Sequence, residues 1–176
     1  VVEGFEDFNA RVRTPGGFRL PNPAARCQWL VPGGKARWVV HPVPRTAAPG
    51  GELMTLMTIR SHDQYNTTVY GLDDRYRGVS GERRVCFISA ADLARLGLAA
   101  GQWVDIVSVW HDGEREATRF LLVEHAIPPG CLAAYYPETN GLVPLDHHAE
   151  RARTPASKSI PVRLRPTRDL GAALAP

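Results

Sequence analysis

A polar segment with anion-binding chemistry, TIRSHDQYNTTVYG (residues 58–71), follows directly on an apolar run. Within it, Arg60 offers a planar cation, Asn66 an amide, and Thr67 and Thr68 two hydroxyl groups. Guanidinium, amide and hydroxyl groups together suit a phosphate and the edge of a heterocycle. One interpretation of the segment is therefore a ligand-binding loop at the end of a strand.

The same residue types also stabilise turns, which gives the segment a second interpretation. Asp63, Asn66 and Thr67 could cap a turn or a helix, because short polar side chains bond to nearby backbone groups. Arg60 would then pair with one of the aspartates at positions 73–74. No glycine pattern of a phosphate loop is present to favour either interpretation, so the chemistry alone leaves both open.

A second polar stretch spans residues 135–164, YYPETNGLVPLDHHAERARTPASKSIPVRL. Asn140 near its start and Lys158 near its end could close over another part of the same ligand. A plain turn with Lys158 exposed is the alternative, since exposed lysine is the common case. Adjacent His147 and His148 point in different directions on any regular element, and no third ligand stands at a useful spacing. These histidines therefore favour a solvated loop over a metal site.

Strands must position both polar stretches. Six short apolar runs bounded by turn residues predict strands, at residues 53–59, 84–89, 102–110, 115–124, 131–136 and 159–164. The pair Asp112-Gly113 predicts a tight hairpin between the third and fourth strands. Several runs are apolar on both faces, which favours a closed small barrel covered on its outside over an open sheet. The cover could be part of the domain itself or a larger assembly.

The clearest helix is SAADLARLGL, residues 89–98, with Ser89 as N-cap and Gly97 as a left-handed stop. Residues 1–50 are instead rich in Pro and Gly and carry isolated aromatic side chains, so we expect an irregular arm that cannot close its own core. One short strand at residues 36–41 is plausible within this arm.

Composition limits the class of protein. With 176 residues and 44% hydrophobic content, the chain can bury one core. The net charge of +3 comes from scattered basic residues without a basic stripe, which argues against nucleic-acid binding. No apolar run approaches the roughly 18 residues of a membrane span. Three widely spaced cysteines indicate reduced thiols in a cytoplasmic protein, and the opening VVEGFEDFN looks like a cut from a longer chain.

Four motifs, taken together and in order, resemble the C-terminal domain of the molybdopterin-containing oxidoreductases. The resemblance covers about residues 51–165 and is greatest to the alpha subunits of formate dehydrogenase-like oxidoreductases. The motifs are TLMTIRSHDQYNTTVYGLDDRYRG, RRVCFISAADLARLGLAAGQWVDIVS, YYPETNGLVPLD and TPASKSIPVRL.

The resemblance implies a mainly β fold, a six-stranded double-psi β-barrel with one or two short helices, preceded by an irregular arm. It also implies a division into an arm from the upstream catalytic body (residues 1–50), a dinucleotide-binding barrel (51–166) and a C-terminal tail (167–176). In the family this barrel closes over a molybdenum bis(molybdopterin guanine dinucleotide) cofactor. The partners implied are that cofactor and the upstream catalytic domains of the same chain.

The cofactor-binding residues that the resemblance implies come from the two polar stretches: Arg60, Ser61, Gln64, Asn66, Thr67, Asn140, Ser157 and Lys158. Many relatives have histidine at the positions of Gln64 and Asn66. In the family, the molybdenum ligand and any iron–sulfur cysteines lie upstream, so this chain is expected to hold no catalytic residue and no metal ligand. Alone it should be inactive. The alternative function is a non-catalytic double-psi barrel that binds a protein partner as an adaptor.

Overall fold

A computed structural model describes residues 5–40, 42, 51–64, 70–150 and 152–167. The chain divides into two units, Val1–Arg45 and Thr46–Pro176. The first unit contains a short helix α1 (Phe8–Arg11) and two 3₁₀ turns (Pro23–Arg26 and Pro32–Gly34). None of its described residues between 5 and 40 is buried. For residues 5–40, the prediction of an irregular arm without its own core is therefore confirmed.

Local contacts, and not a buried core, give this arm its structure. The rings of Phe5, Phe8 and Phe18 cluster with centroids 5.4 to 6.1 Å apart. The strand predicted at residues 36–41 is wrong for 36–40, which form no strand, and His41 lies outside the described residues. Trp38 is 99% exposed and Val40 94%, so neither of these apolar side chains packs into a core.

The second unit is a closed barrel of six strands. The strands are β1 (Met54–Ile59), β2 (Val85–Ile88), β3 (Trp103–Trp110), β4 (Gly113–Glu124), β5 (Cys131–Tyr135) and β6 (Ile160–Pro166). Their order around the barrel is β1-β5-β2-β4-β3-β6. Pairs β1–β5 and β2–β4 are parallel, and the other four pairs are antiparallel.

This topology has an internal twofold relation. Exchanging β1, β2 and β3 with β4, β5 and β6 returns the same ring of neighbours and the same parallel and antiparallel pairs. The mainly β, six-stranded double-psi barrel predicted from the resemblance is confirmed.

Burial on both faces explains the strands that are apolar throughout. In β2, Cys86 and Ile88 belong to the main core cluster, whereas Val85 and Phe87 belong to a second cluster. Because successive strand residues point to opposite faces, the two clusters lie on opposite faces of this strand. The second cluster includes Tyr135 on the neighbouring β5. The barrel unit itself thus supplies cover for this part of its outer surface.

The local signals in the sequence gave the expected elements. Helix α2 (Ala90–Leu96) begins after Ser89, whose hydroxyl accepts a hydrogen bond from the Asp92 backbone N–H, and ends at Gly97 with φ 65°. The predicted hairpin is present, since Trp110 on β3 pairs with Gly113 on β4. Of the Asp112-Gly113 pair, only Gly113 has positive φ, at 128°.

Candidate functional site

A cavity of about 740 Å³ opens where β1 and β5 end, and we call it the basin. Ile59 and Tyr135, the last residues of these parallel strands, are register partners. Arg60 and Tyr136 therefore leave the barrel side by side, and both line the basin. The lining is completed by one residue of β1 and by the loops around residues 140–145 and 154–158, namely Thr58, Asn140, Val143, Pro144, Leu145, Thr154, Pro155, Ser157 and Lys158.

Backbone contacts hold the loop 154–158 against β1. The Thr58 N–H donates to the Ser157 carbonyl oxygen at 2.9 Å, and the Lys158 ammonium group donates to the Thr58 carbonyl oxygen. On the other side, the Asn140 backbone N–H donates to the Pro137 carbonyl oxygen at 2.9 Å. Leu142, two residues later, is fully buried. The basin walls are thus tied to the barrel, while Asn140 and Lys158 remain exposed.

Arg60 is exposed and its Nε donates to the Tyr136 hydroxyl group. Its guanidinium carbon lies 5.7 Å from the centroid of the Tyr136 ring. In the turn-stabilising interpretation, Arg60 would have paired with Asp73 or Asp74, but the arginine bound to Asp74 is Arg77, at 2.6 Å. The Arg60 side chain is therefore directed to the Tyr136 side of the basin.

The structure brings together four of the eight side chains predicted to bind a cofactor. Arg60, Asn140, Ser157 and Lys158 line the basin although they are separated by up to 98 positions (158 − 60) in the sequence. Asn66 and Thr67 lie outside the described residues.

Ser61 and Gln64 take a different place, since they are 4% and 5% exposed and do not line the basin. The Ser61 hydroxyl and the Gln64 side-chain oxygen both accept hydrogen bonds from Arg83, at 3.0 and 3.1 Å. Gln64 Nε2 donates to the Tyr136 carbonyl oxygen at 3.3 Å. Through these bonds, the two side chains hold the segment after β1 against Arg83 and the Tyr136 backbone.

Sequence reasoning missed Arg83 in this region and named the buried Asp74 only as a possible partner of Arg60. The Asp74 carboxylate accepts from the Tyr135 hydroxyl at 2.7 Å, from Arg77 at 2.6 Å and from the His62 N–H at 3.2 Å. Burial by itself raises the pKa of Asp74, but the hydrogen bonds from Tyr135 and Arg77 outweigh it and lower the pKa. Arg77 also donates to the Arg60 carbonyl oxygen at 3.1 Å, which links this carboxylate to the basin wall.

The histidine pair sits in a packed loop. His147 stacks on Trp110 with ring centroids 4.3 Å apart, and the Trp110 Nε1–H donates to Asp146 at 2.8 Å. Within the described part of the chain, no group of three His, Cys, Asp or Glu side chains is arranged to hold a metal ion.

Comparison with known proteins gives the family of this barrel. Residues 54–161 match the family model described as "Molydopterin dinucleotide binding domain". The chain belongs to the molybdopterin dinucleotide-binding domain family. The match spans β1 through the first residues of β6 and includes every residue that lines the basin.

Curated relatives of this molybdopterin dinucleotide-binding domain are much longer proteins. Uncharacterized oxidoreductase Rv2900c of Mycobacterium tuberculosis is 54% identical over 173 residues, covering 95% of this chain and 22% of that protein. Protein YdeP of Escherichia coli strain K12 is 40% identical over 172 residues, covering 95% of this chain and 23% of that protein. The chain thus spans less than a quarter of each relative. Among the described helices, none is long and apolar enough to cross a membrane.

Proposed function

We propose that this chain is the cofactor-binding domain of a larger molybdenum oxidoreductase and that the basin holds the dinucleotide end of the cofactor. The observation that carries the proposal is the convergence of Arg60, Asn140, Ser157 and Lys158 on one cavity from distant parts of the chain. Family membership and the relatives' oxidoreductase names favour this function over the adaptor alternative.

The donor set of the basin fits the group. Two cations, Arg60 and Lys158, offer N–H groups that suit the negatively charged oxygens of a pyrophosphate. Asn140 carries both a donor and an acceptor, which suits the edge of a pterin or a purine. Tyr136 and Pro155 add apolar surface to the lining. When bound, the cofactor supplies the electron-transfer chemistry through its metal and dithiolenes, whereas the residues of this domain bind, orient and screen its polar end from water.

The test uses the full-length protein, produced in a host that synthesises the cofactor. Arg60→Ala and Lys158→Ala should each lower the molybdenum and pterin content per polypeptide, measured by mass spectrometry of the metal and by pterin fluorescence after oxidation. Arg84→Ala is the matched control, because Arg84 is exposed and does not line the basin. Unchanged cofactor content in the double variant Arg60→Ala/Lys158→Ala would remove the basin from cofactor binding.

Finer features of the proposal follow from the sequence resemblance. The whole enzyme is formate dehydrogenase-like and cytoplasmic, and its cofactor is the bis(molybdopterin guanine dinucleotide) form. Residues upstream of this chain bind the molybdenum and can bind an iron–sulfur cluster. The 176-residue chain alone is inactive.

Separate assays test these features. Acid hydrolysis of the purified enzyme should release GMP. Analysis of iron and acid-labile sulfide should detect any iron–sulfur cluster. Cell fractionation should place the enzyme in the cytoplasm. The full-length enzyme, but not the isolated chain, should reduce a viologen dye with formate. A cofactor-loaded enzyme that leaves formate untouched would refute the formate assignment and leave cofactor binding intact.

A further inference from the structure

Arg83 is a buried cation that bonds to both chain segments leaving β1 and β5 next to the basin. It is 6% exposed, and its guanidinium carbon lies 5.0 Å from the centroid of the Tyr70 ring and 5.2 Å from that of the Tyr135 ring. Nε and Nη2 donate to the two carboxylate oxygens of Glu138, at 2.6 and 3.3 Å. The planar fork of arginine thus meets the carboxylate with two parallel hydrogen bonds, which fixes its orientation.

The remaining N–H groups of Arg83 reach two separate stretches of chain. On the segment after β1, Nη1 donates to Ser61 Oγ at 3.0 Å and to the Gly71 carbonyl oxygen at 3.2 Å, and Nη2 donates to Gln64 Oε1 at 3.1 Å. On the segment after β5, Nη2 donates to the Tyr136 carbonyl oxygen at 3.1 Å. Arg83 therefore joins the exits of both parallel strands.

Both joined segments carry a wall of the basin. Ser61 directly follows Arg60, and the Tyr136 carbonyl group belongs to the residue whose hydroxyl accepts from the Arg60 Nε. Every N–H bearing nitrogen of Arg83 is already engaged within the protein, so this guanidinium has no spare donor for a ligand. Its influence on the basin must pass through the position of Arg60 and Tyr136.

We propose that Arg83 is a positioning residue of the cofactor site: it fixes Arg60 and Tyr136 at one spacing so that the basin meets its ligand in a preformed state. The inference rests on the proposed function, since it concerns the same basin. A preformed site loses less side-chain and loop freedom on binding, so loosening the Arg83 contacts weakens binding even where Arg60 itself is retained.

The experiment compares Arg83→Lys with wild type in cofactor-free full-length protein, titrated with guanosine diphosphate by calorimetry. Lysine keeps the charge opposite Glu138 but cannot reproduce the fork, so it cannot join both segments. We expect the dissociation constant to rise about tenfold, with Arg60→Ala giving a similar rise. Arg84→Lys makes the same change at the next residue in the sequence. Its dissociation constant should stay within about twofold of the wild-type value.

A double-mutant cycle separates positioning from general destabilisation. If Arg83 acts through Arg60, the double variant Arg60→Ala/Arg83→Lys should bind no more than about threefold more weakly than either single variant, since coupled residues are not additive. Multiplicative losses in the double variant, or an unchanged dissociation constant in Arg83→Lys, would overturn the proposal. If Arg60→Ala leaves binding unchanged, the proposed function fails and this inference fails with it.

A second variant covers the case in which Arg83→Lys does not fold. Glu138→Gln leaves Arg83 in place and neutralises the carboxylate that orients it, and Glu138 does not line the basin. We expect about a threefold weaker binding of guanosine diphosphate, because hydrogen bonds to a charged acceptor are stronger than those to a neutral one. Binding equal to wild type in a folded Glu138→Gln protein would also contradict a positioning role for Arg83.

Discussion

Replacing Tyr135 by phenylalanine removes one oxygen atom from the buried network next to the basin. Tyr135 is 1% exposed, and its ring packs edge-on against Phe87 with centroids 5.6 Å apart. Its hydroxyl donates to Asp74 at 2.7 Å. Burial raises the pKa of Tyr135 above its ordinary value of 10.0, so the group stays a donor at neutral pH. Phenylalanine keeps the ring and removes only that hydrogen bond.

The expected loss in the free energy of unfolding is about 2 kcal/mol. A hydrogen bond to a charged group contributes about 1.5 to 3 kcal/mol. Asp74 Oδ2 keeps its bonds from Arg77 and from the His62 N–H, which places the loss in the lower part of that range. For a chain of this size the loss corresponds to a melting temperature lower by roughly 4 to 8 °C.

The effect should depend on pH in a defined direction. Although burial raises it, the hydrogen bonds lower the pKa of Asp74 below its ordinary value of 3.8. A lowered folded-state pKa gives stability that is fully present above the unfolded-state pKa and is lost as pH falls through the folded-state pKa. The gap between wild type and Tyr135→Phe should therefore be full at pH 7 and narrow below about 3.8.

Denaturant titration at neutral and acidic pH measures both effects. Tyr70→Phe is the matched control, because the Tyr70 ring also faces Arg83 but is 37% exposed, and its stability should change by less than about 0.5 kcal/mol. Equal losses in the two variants at pH 7 would refute the role assigned to the bond between Tyr135 and Asp74.

Three further predictions concern other parts of the barrel unit. Asp92→Asn should cost about 1 to 3 kcal/mol at pH 7, because Asp92 accepts from the Gly130 N–H at 2.8 Å and from Arg95. Burial by itself raises the pKa of Asp92, but its hydrogen bonds lower the pKa by more, so the pKa lies below its ordinary value. The loss of stability in Asp92→Asn should therefore shrink in acid, and a loss independent of pH would contradict this account. Burial raises the pKa of the Cys86 thiol to about 12, so iodoacetamide at pH 8 should label the exposed Cys27 and spare Cys86 in mass spectra of the folded chain. Gly97→Ala should lower stability by about 1 kcal/mol in thermal unfolding, because Gly97 holds φ at 65°.

Local patterns in the sequence were sufficient for the barrel strands and the helix. Every predicted strand end after residue 51 lies within two residues of the observed one, because each apolar run is bounded by turn residues that end a strand. Ser89 and Gly97 mark the ends of α2 for the same reason: caps are local contacts. The strand predicted at residues 36–41 was wrong for the described residues 36–40, because an apolar pattern gives no information about whether a partner strand exists.

The candidate site was predicted only in part, for a physical reason. Arg60, Asn140, Ser157 and Lys158 carry recognisable chemistry in two polar stretches that flank strands, and resemblance to a family brought them together. Arg83 gives no such signal, since an arginine at the start of a strand is ordinary. Its role depends on acceptors between 12 and 55 positions away in the sequence, and such distances have meaning only after the barrel has closed.

The pairing of the first strand with the last affects when the basin can exist during synthesis. β1 pairs with β6, and Ser157 and Lys158 stand immediately before β6. Contacts between such distant positions form late and slowly, because the entropy of closing a long loop must be offset first. A nascent chain that has not yet produced Ile160 contains every residue that lines the basin but lacks the strand that pairs with β1 next to the loop 154–158. We therefore expect this basin to bind a ligand only after β6 has been synthesised and has paired with β1.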